Sequence, residues 1–199
     1  MVKMIKLKII VAGAKAVGKT SLIRRFCTGK FQIDTLSTIG VDFMTKNIKI
    51  NDIEVHFSIW DFAGEHKFRQ LFPAYCSGAS GAFILFDITN KETFLDLEDW
   101  IKLINDSGGD KIIKILISSK ADLENQSQVS EEEAIQFKNQ KKLNLYLKTS
   151  AKTGLNVEEA FQEMAKLIIE NSLIKCPECG ELIPKELIFC TFCGQKIKI

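Results

Sequence analysis

Ile9-Ile10-Val11-Ala12-Gly13-Ala14-Lys15-Ala16-Val17-Gly18-Lys19-Thr20 is the stretch that decides the fold. Its first three residues form an apolar run without alternation, the pattern of a strand buried on both faces. From Gly13 the chain reads G-x-x-x-x-G-K-T, and residues 19–27 carry helical spacing until Thr28-Gly29 stops it. A glycine turn that leaves a strand and opens a helix gathers backbone N–H groups at the positive end of a helix dipole, a setting for phosphates. In that setting Lys19 reaches the β- and γ-phosphates and the Thr20 hydroxyl ligates Mg²⁺. A plain glycine turn followed by a surface lysine would not require the strand before it and the helix after it.

Outward from this motif the chain alternates strand and helix. Residues 43–50 and 53–60 form a hairpin around Asn51-Asp52, with Ile53, Val55, Phe57 and Ile59 alternating against Glu54, His56 and Ser58. His56 is expected on the solvated outer face. Residues 82–88, 112–117 and 143–147 are further strands. Phe94, Leu97, Ile101 and Ile104 share one helical face that ends at Ser107-Gly108-Gly109. Ser130 and Glu133 form a capping box, and Asn156 is placed to cap a last helix striped by Val157, Ala160, Phe161, Met164, Leu167 and Ile168. Six strands separated mostly by helices give an α/β fold, a mostly parallel six-stranded sheet flanked by helices.

Two further strand ends carry chemistry. Trp60-Asp61-Phe62-Ala63-Gly64 ends a strand with an acid, suited to hold Mg²⁺ through a water, and Gly64 leaves a backbone N–H for a γ-phosphate. Ser118-Ser119-Lys120-Ala121-Asp122 follows another strand. A carboxylate there accepts both the N1–H and the N2 amino hydrogens of guanine, donors that adenine does not pair. The Lys120 stem can cover the base plane, and Thr149-Ser150-Ala151-Lys152 closes over the same base. Each short motif is weak alone; their order and spacing give them force.

Taken together, these residues resemble the small GTPases of the Ras superfamily over about residues 4 to 173. Ser37-Thr38-Ile39-Gly40-Val41-Asp42-Phe43, Ile59-Trp60-Asp61, Lys67-Phe68-Arg69 and Phe86-Asp87-Ile88-Thr89 are most similar to segments of its Rab branch. The resemblance implies a P-loop fold and a switch that binds GTP or GDP with Mg²⁺, hydrolyses GTP and signals to effectors in membrane trafficking. It assigns Thr38 to Mg²⁺ and the γ-phosphate, and Phe31 to the guanine. The implied nucleotide contacts are Gly13, Lys15, Ala16, Val17, Gly18, Lys19, Thr20, Ser21, Phe31, Thr38, Gly64, Ser119, Lys120, Asp122, Ser150, Ala151 and Lys152. Lys19, Thr38, Gly64 and Glu65 are the candidate catalytic residues, and Thr20, Thr38 and Asp61 the candidate Mg²⁺ set. Phe43, Trp60 and Tyr75 match an aromatic trio offered to effectors, although ordinary core packing also explains aromatics on strands. An exchange factor and an activating protein are implied as partners.

Three positions depart from the family pattern. Ser119 replaces the asparagine of Asn-Lys-x-Asp; being shorter, it is expected to lose contacts to the base and the phosphate loop, at about 1 kcal/mol of nucleotide affinity. Glu65 replaces the water-positioning glutamine, and Lys15 replaces a small residue. The last two lead to an expectation of slow intrinsic hydrolysis.

The C-terminal segment is different in kind. Cys176-Pro177-Glu178-Cys179-Gly180 and Cys190-Thr191-Phe192-Cys193-Gly194 are two C-x-x-C-G knuckles. Four thiolates at this spacing suit one Zn²⁺ in a short zinc ribbon; a disulfide pair or redox motif is the alternative. Residues 1–173 and 174–199 are thus expected to be a Rab-like GTPase domain and a zinc-ribbon module. The ribbon holds four lysines, three acids and no arginine, so protein contact is favoured over nucleic acid and over a purely structural capping of the last helix.

The whole chain, of 199 residues, carries a net charge of only +2, which argues against a dedicated nucleic-acid binder. Glycine is absent at position 2 and the last four residues contain no cysteine, so no direct lipid anchor is expected. The expected place is the cytoplasm, with any membrane reached through a partner. Two rival readings stay open: a non-hydrolysing, nucleotide-bound scaffold that docks a partner complex through the ribbon, and a nucleic-acid factor that reads through it.

Overall fold

The computed structural model describes residues 3–32, 38–108 and 111–197. Ser37 of the switch-like segment, Gly109 after the long helix, and the last two residues lie outside them. The opening apolar run belongs to β1 (Lys3–Gly13), which lies between β3 (Ile53–Phe62) and β4 (Gly81–Asp87). With β2 (Val41–Ile50), β5 (Ile113–Ser119) and β6 (Leu145–Lys148), these form a six-stranded sheet of order β2-β3-β1-β4-β5-β6. β2 runs antiparallel to β3, and every other pairing is parallel. The hairpin turns at Asn51, whose φ of 52° suits a two-residue loop. Across it, His56 hydrogen-bonds Asn47 (Nδ1 to Oδ1, 2.6 Å) and is half-buried rather than fully solvated.

Alternate residues of β1 feed two cores, which is why the run needs no polar positions. Ile9 and Val11 join Phe26, Phe57, Phe83 and Phe161 under α1 (Lys19–Thr28) and α6 (Val157–Ser172). Ile10 and Ala12 join Phe62, Phe72, Phe86, Phe94 and Trp100 under α2 (Phe72–Cys76), α3 (Lys91–Leu95), α4 (Leu97–Gly108) and α5 (Glu131–Gln140). Phe26 stacks on Phe161 with ring centroids 3.7 Å apart and planes 4° from parallel. This contact fixes α1, the helix that follows the phosphate-loop motif, against α6. β3 and β4 lie on opposite sides of β1, so the order of connection switches there and the loop after β1 opens at the carboxyl edge where α/β sheets place ligands.

Several elements depart from the sequence expectation. The helix predicted through Phe94 and Ile104 is two helices, with Asp96 between them. Its carboxylate accepts from Trp100 Nε1 at 2.9 Å and from Arg69 Nη2 at 2.7 Å, tying the break to the segment after β3. β3 continues to Phe62 and β5 to Ser119, both past the expected ends, because neighbouring strands pair with them there. β6 starts at Leu145; Leu143 stays buried but precedes the strand. Ser130 and Glu133 do form a reciprocal capping box. Asn156 stands at the N-cap of α6 but makes no cap bond; its Nδ2 donates to Lys148 O at 2.8 Å.

α6 runs directly into a small two-stranded unit, β7 (Leu173–Lys175) paired antiparallel with β8 (Leu182–Pro184). Cys176, Ile183, Cys190 and Ile197 form its own buried cluster. Lys185 donates its N–H to Ser172 O at 2.9 Å and its Nζ to Glu170 O at 2.6 Å, so the unit satisfies two of the carbonyls ending α6. Among the described residues no helix is long and apolar enough to cross a membrane.

Candidate functional site

α1 begins at Lys19 with Gly18 as N-cap (φ 93°) and no side-chain cap bond, so its first N–H groups face the loop before it. Lys19 is 6 % exposed, and its Nζ donates to Gly13 O at 2.9 Å and Ala14 O at 2.6 Å, closing the loop into an arch. Burial lowers its pKa to about 8, against the opposing pull of the Asp61 carboxylate.

Beside this arch three oxygens expected around Mg²⁺ come together. Thr20 Oγ1 lies 2.9 Å from Thr38 Oγ1 and donates to Asp61 Oδ2 at 2.5 Å; Thr38 Oγ1 lies 3.4 Å from the same carboxylate oxygen. Asp61 is buried on the end of β3, which raises its pKa, and its Oδ1 has no hydrogen-bond partner among the described residues. Two hydroxyls and a buried carboxylate with an unpaired oxygen are a hard-oxygen set that fits Mg²⁺.

Gly64 follows where the chain passes against the arch. A Cβ there would run into the backbone of Ala14 and Lys15, so only glycine permits this approach. The next residue, Glu65, is held by two cations: Lys15 Nζ at 2.9 Å from Oε1 and Lys67 Nζ at 2.8 Å from Oε2. Their hydrogen bonds, Lys67 first, lower its pKa to about 2. Two of the departures from the family pattern, Lys15 and Glu65, thus meet.

On the other side of the arch is a cavity of about 350 Å³. Ala16, Gly18, Ser21, Phe31, Ser119, Lys120, Asp122, Ala151 and Lys152 line it, as expected, together with Leu22, Leu123 and Thr149. Ser150 and Val17 stand behind the wall. Ser150 Oγ donates to Asp122 Oδ1 at 2.5 Å, and Lys152 Nζ lies 3.8 Å from Oδ2. Lys120 adopts a left-handed φ of 60°, with its Nζ on Asp87 Oδ2 at 2.5 Å. Ser119 corrects the expectation of a lost phosphate-loop contact, because its Oγ reaches Val17 O at 2.6 Å and Phe86 O at 2.9 Å.

Phe43, Trp60 and Tyr75 form a continuous row, with centroids 5.6 Å apart for the first pair and 5.5 Å for the second. Phe43 is 57 % exposed, so the row opens to solvent at one end.

The four C-terminal cysteines are free thiols whose Sγ atoms all lie within 4.8 Å of one another. Cys176–Cys193 and Cys179–Cys190 are each 3.7 Å apart, close to the sulfur–sulfur edge of about 3.8 Å in a tetrahedron with ~2.3 Å Zn–S bonds. Gly180 (φ 72°) and Gly194 (φ 76°) turn the two knuckles, and Phe192 N–H donates to Cys190 Sγ at 3.4 Å. The set fits a tetrahedral metal.

Two participants received no role from the sequence reading. Asp87 anchors Lys120, and Lys67 is the second cation on Glu65. The signal for Asp87 was an acid at a strand's carboxyl end, one strand over from Ser119. Nothing local marks Lys67, an exposed lysine among others.

The geometry is matched by comparison with known families: the Ras family is found over residues 8–170, from β1 to the last turn of α6. Members bind GTP and GDP, require Mg²⁺, hydrolyse GTP and work through effectors, exchange factors and activating proteins. Arch, cavity and all of the six-stranded sheet but the start of β1 lie inside the matched region, and the chain belongs to the Ras family of small GTPases.

Proposed function

We propose that the chain is a Rab-like guanine-nucleotide switch that hydrolyses GTP slowly and carries a C-terminal zinc ribbon for docking a protein partner. The observation that carries the nucleotide reading is the joined arch and cavity: buried Lys19 at one end and Asp122, oriented by Ser150, at the other. The guanine N1 and N2 hydrogens would meet Asp122, Phe31 and the Lys120 stem would flank the base, and the phosphates would cross residues 13–20. Mg²⁺ would be held by Thr20 and Thr38, with Asp61 through a water, and would neutralise phosphate charge. Thr38 and Gly64 would sense the γ-phosphate, ordering their loops with GTP and releasing them after hydrolysis.

In the reaction, water attacks the γ-phosphorus, the bond to the bridging oxygen breaks, and GDP and phosphate leave. Lys19 stabilises the charge that builds on the phosphate oxygens. Glu65, ionised between two lysines, accepts hydrogen bonds but donates none, which supports slow turnover.

The Phe43–Trp60–Tyr75 row, exposed at Phe43 and half-buried beyond it, supports the Rab-like reading and an effector that reads this face. The separate cysteine cluster supports a division into residues 1–173 and 174–199. Exposed Ile188, Phe189 and Phe192 support protein contact by the ribbon. The proposal includes a cytoplasmic protein that reaches membranes of the trafficking system through a partner.

The ion-paired Glu65 also favours a second reading, a nucleotide-bound scaffold that does not hydrolyse. Single-turnover hydrolysis with Mg²⁺ tests both. Slow phosphate release supports the switch; none over hours supports the scaffold.

A further inference from the structure

Each 3.7 Å contact in the cysteine cluster joins a surface thiol to a buried one. Cys193 and Cys179 are exposed, whereas their partners Cys176 and Cys190 are each 2 % exposed. A metal holds such thiols as thiolates, the nucleophilic form of sulfur. An accessible thiolate with a second sulfur in reach converts oxidation into a reversible disulfide instead of higher acids. The remaining cysteines lack this arrangement. Cys27 is half-buried and Cys76 buried, burial raises the pKa of both thiols, and they lie in different cores, so neither can resolve the other. The second knuckle also carries the module's apolar face. Ile188 and Phe189 lead into Cys190, and Phe192, between Cys190 and Cys193, donates its N–H to Cys190 Sγ at 3.4 Å. All three apolar side chains are exposed.

We infer that the cluster is a reversible oxidation site as well as a metal site: hydrogen peroxide reacts at Cys179 and Cys193, Cys190 and Cys176 resolve the products as disulfides, and the apolar face of the ribbon is remodelled while the nucleotide site is untouched. The inference rests on the zinc reading above and on the docking role given to that face. In the first step an exposed thiolate attacks one peroxide oxygen. An S–O bond forms, the O–O bond breaks, and the departing hydroxide takes a proton from solvent. The buried thiolate then attacks the sulfenic sulfur; the S–S bond forms, the S–O bond breaks, and a second hydroxide leaves and is protonated to water. Each pair of sulfurs loses two electrons to one peroxide. Two pairs consume two peroxides and four protons, give four waters, and leave Zn²⁺ without a ligand. A dithiol reverses this by exchange, restoring four thiolates that take up the ion again. No cysteine lines the cavity beside the arch, so nucleotide binding has no sulfur to lose.

The test treats the unmodified full chain, analysed for metal beforehand, with hydrogen peroxide. Released zinc is read with a colorimetric chelator, and disulfides are mapped by mass spectrometry after free thiols are alkylated. The expected result is about one zinc released for every two peroxides consumed, disulfides Cys176–Cys193 and Cys179–Cys190, and Cys27 and Cys76 recovered as free thiols. The amide NMR signals of Ile188, Phe189 and Phe192 should shift, affinity for a fluorescent GDP analogue should stay the same, and dithiothreitol with Zn²⁺ should restore the starting spectrum. Zinc-bearing protein that keeps its metal under excess peroxide would overturn the inference and leave the zinc reading intact. Sulfinic or sulfonic acids at Cys179 and Cys193, or disulfides within a knuckle, would overturn the resolving roles of Cys190 and Cys176. Unmoved amide signals would overturn the effect on the apolar face, and weakened GDP binding would overturn the independence of the nucleotide site. Protein purified free of chelators that holds no zinc would remove the zinc reading itself, and the inference with it.

Discussion

Lys15 Nζ lies 2.9 Å from Glu65 Oε1, joining the phosphate loop to the residue after Gly64 across fifty positions of sequence. Lys67 holds the other carboxylate oxygen. The catalytic candidate at position 65 is therefore locked in its charged form beside the place where a γ-phosphate would lie. A strongly negative phosphate repels Glu65 and attracts Lys15, so the pair and the nucleotide compete for one cation.

Hydrolysis should report this coupling. Glu65→Gln restores a donor and removes a charge, and is expected to raise the single-turnover rate about ten-fold. Lys15→Ala and Glu65→Gln together should depart from additivity by more than about 0.5 kcal/mol, since the two side chains touch. Additive effects would mean that the ion pair has no part in the reaction.

Glu65 should titrate far below an ordinary glutamate. Its folded pKa is depressed, from 4.5 to about 2, so its ion pairs are complete above the unfolded value and fade as pH falls toward about 2. A carboxyl-carbon NMR titration should show a midpoint near 2 in the unmodified chain and one nearer 4.5 when both Lys15 and Lys67 are alanine. An unchanged midpoint in that variant would assign the shift to some other group.

Asp122→Asn should weaken guanine selection. The carboxylate loses one of two acceptor oxygens and its charge, at about 1.5–3 kcal/mol or roughly ten- to a hundred-fold in GDP affinity. Binding of ADP should change far less. Equal weakening of both nucleotides would point to damage in the arch rather than loss of base reading.

Metal removal should act locally. Zinc is expected at one ion per chain, and chelation should unfold β7, β8 and the knuckles, because the ribbon's buried cluster is too small to persist alone. Nucleotide binding should survive, since the two larger cores lie elsewhere. The last turn of α6 should lose amide protection as Lys185 releases Ser172 O and Glu170 O. Metal analysis without zinc in protein purified free of chelators would contradict the assignment.

The legible parts of this molecule were those set by local chemistry. The β1 run, the glycine arch, the Ser130 capping box and the cysteine knuckles are short-range patterns, and each lies where its spacing implied. The illegible parts depend on partners distant in sequence. The break at Asp96 follows from Arg69, twenty-seven residues earlier. Asn156 has the composition of a cap, yet the Lys148 carbonyl claims its side chain. Ser119 looked too short to reach the phosphate loop, but Val17 O comes within 2.6 Å of it. A residue's type announced what it can bond; only the fold determined which group arrived.

The central claim is that arch and cavity together bind guanine nucleotide with Mg²⁺. Equilibrium competition among GTP, GDP and ATP on the full chain, run with Mg²⁺ and again with a chelator of it, tests this most directly. The account predicts displacement by GTP and GDP, none by ATP at equal concentration, and marked weakening when Mg²⁺ is withdrawn. Equal competition by ATP, or affinity indifferent to Mg²⁺, would contradict it.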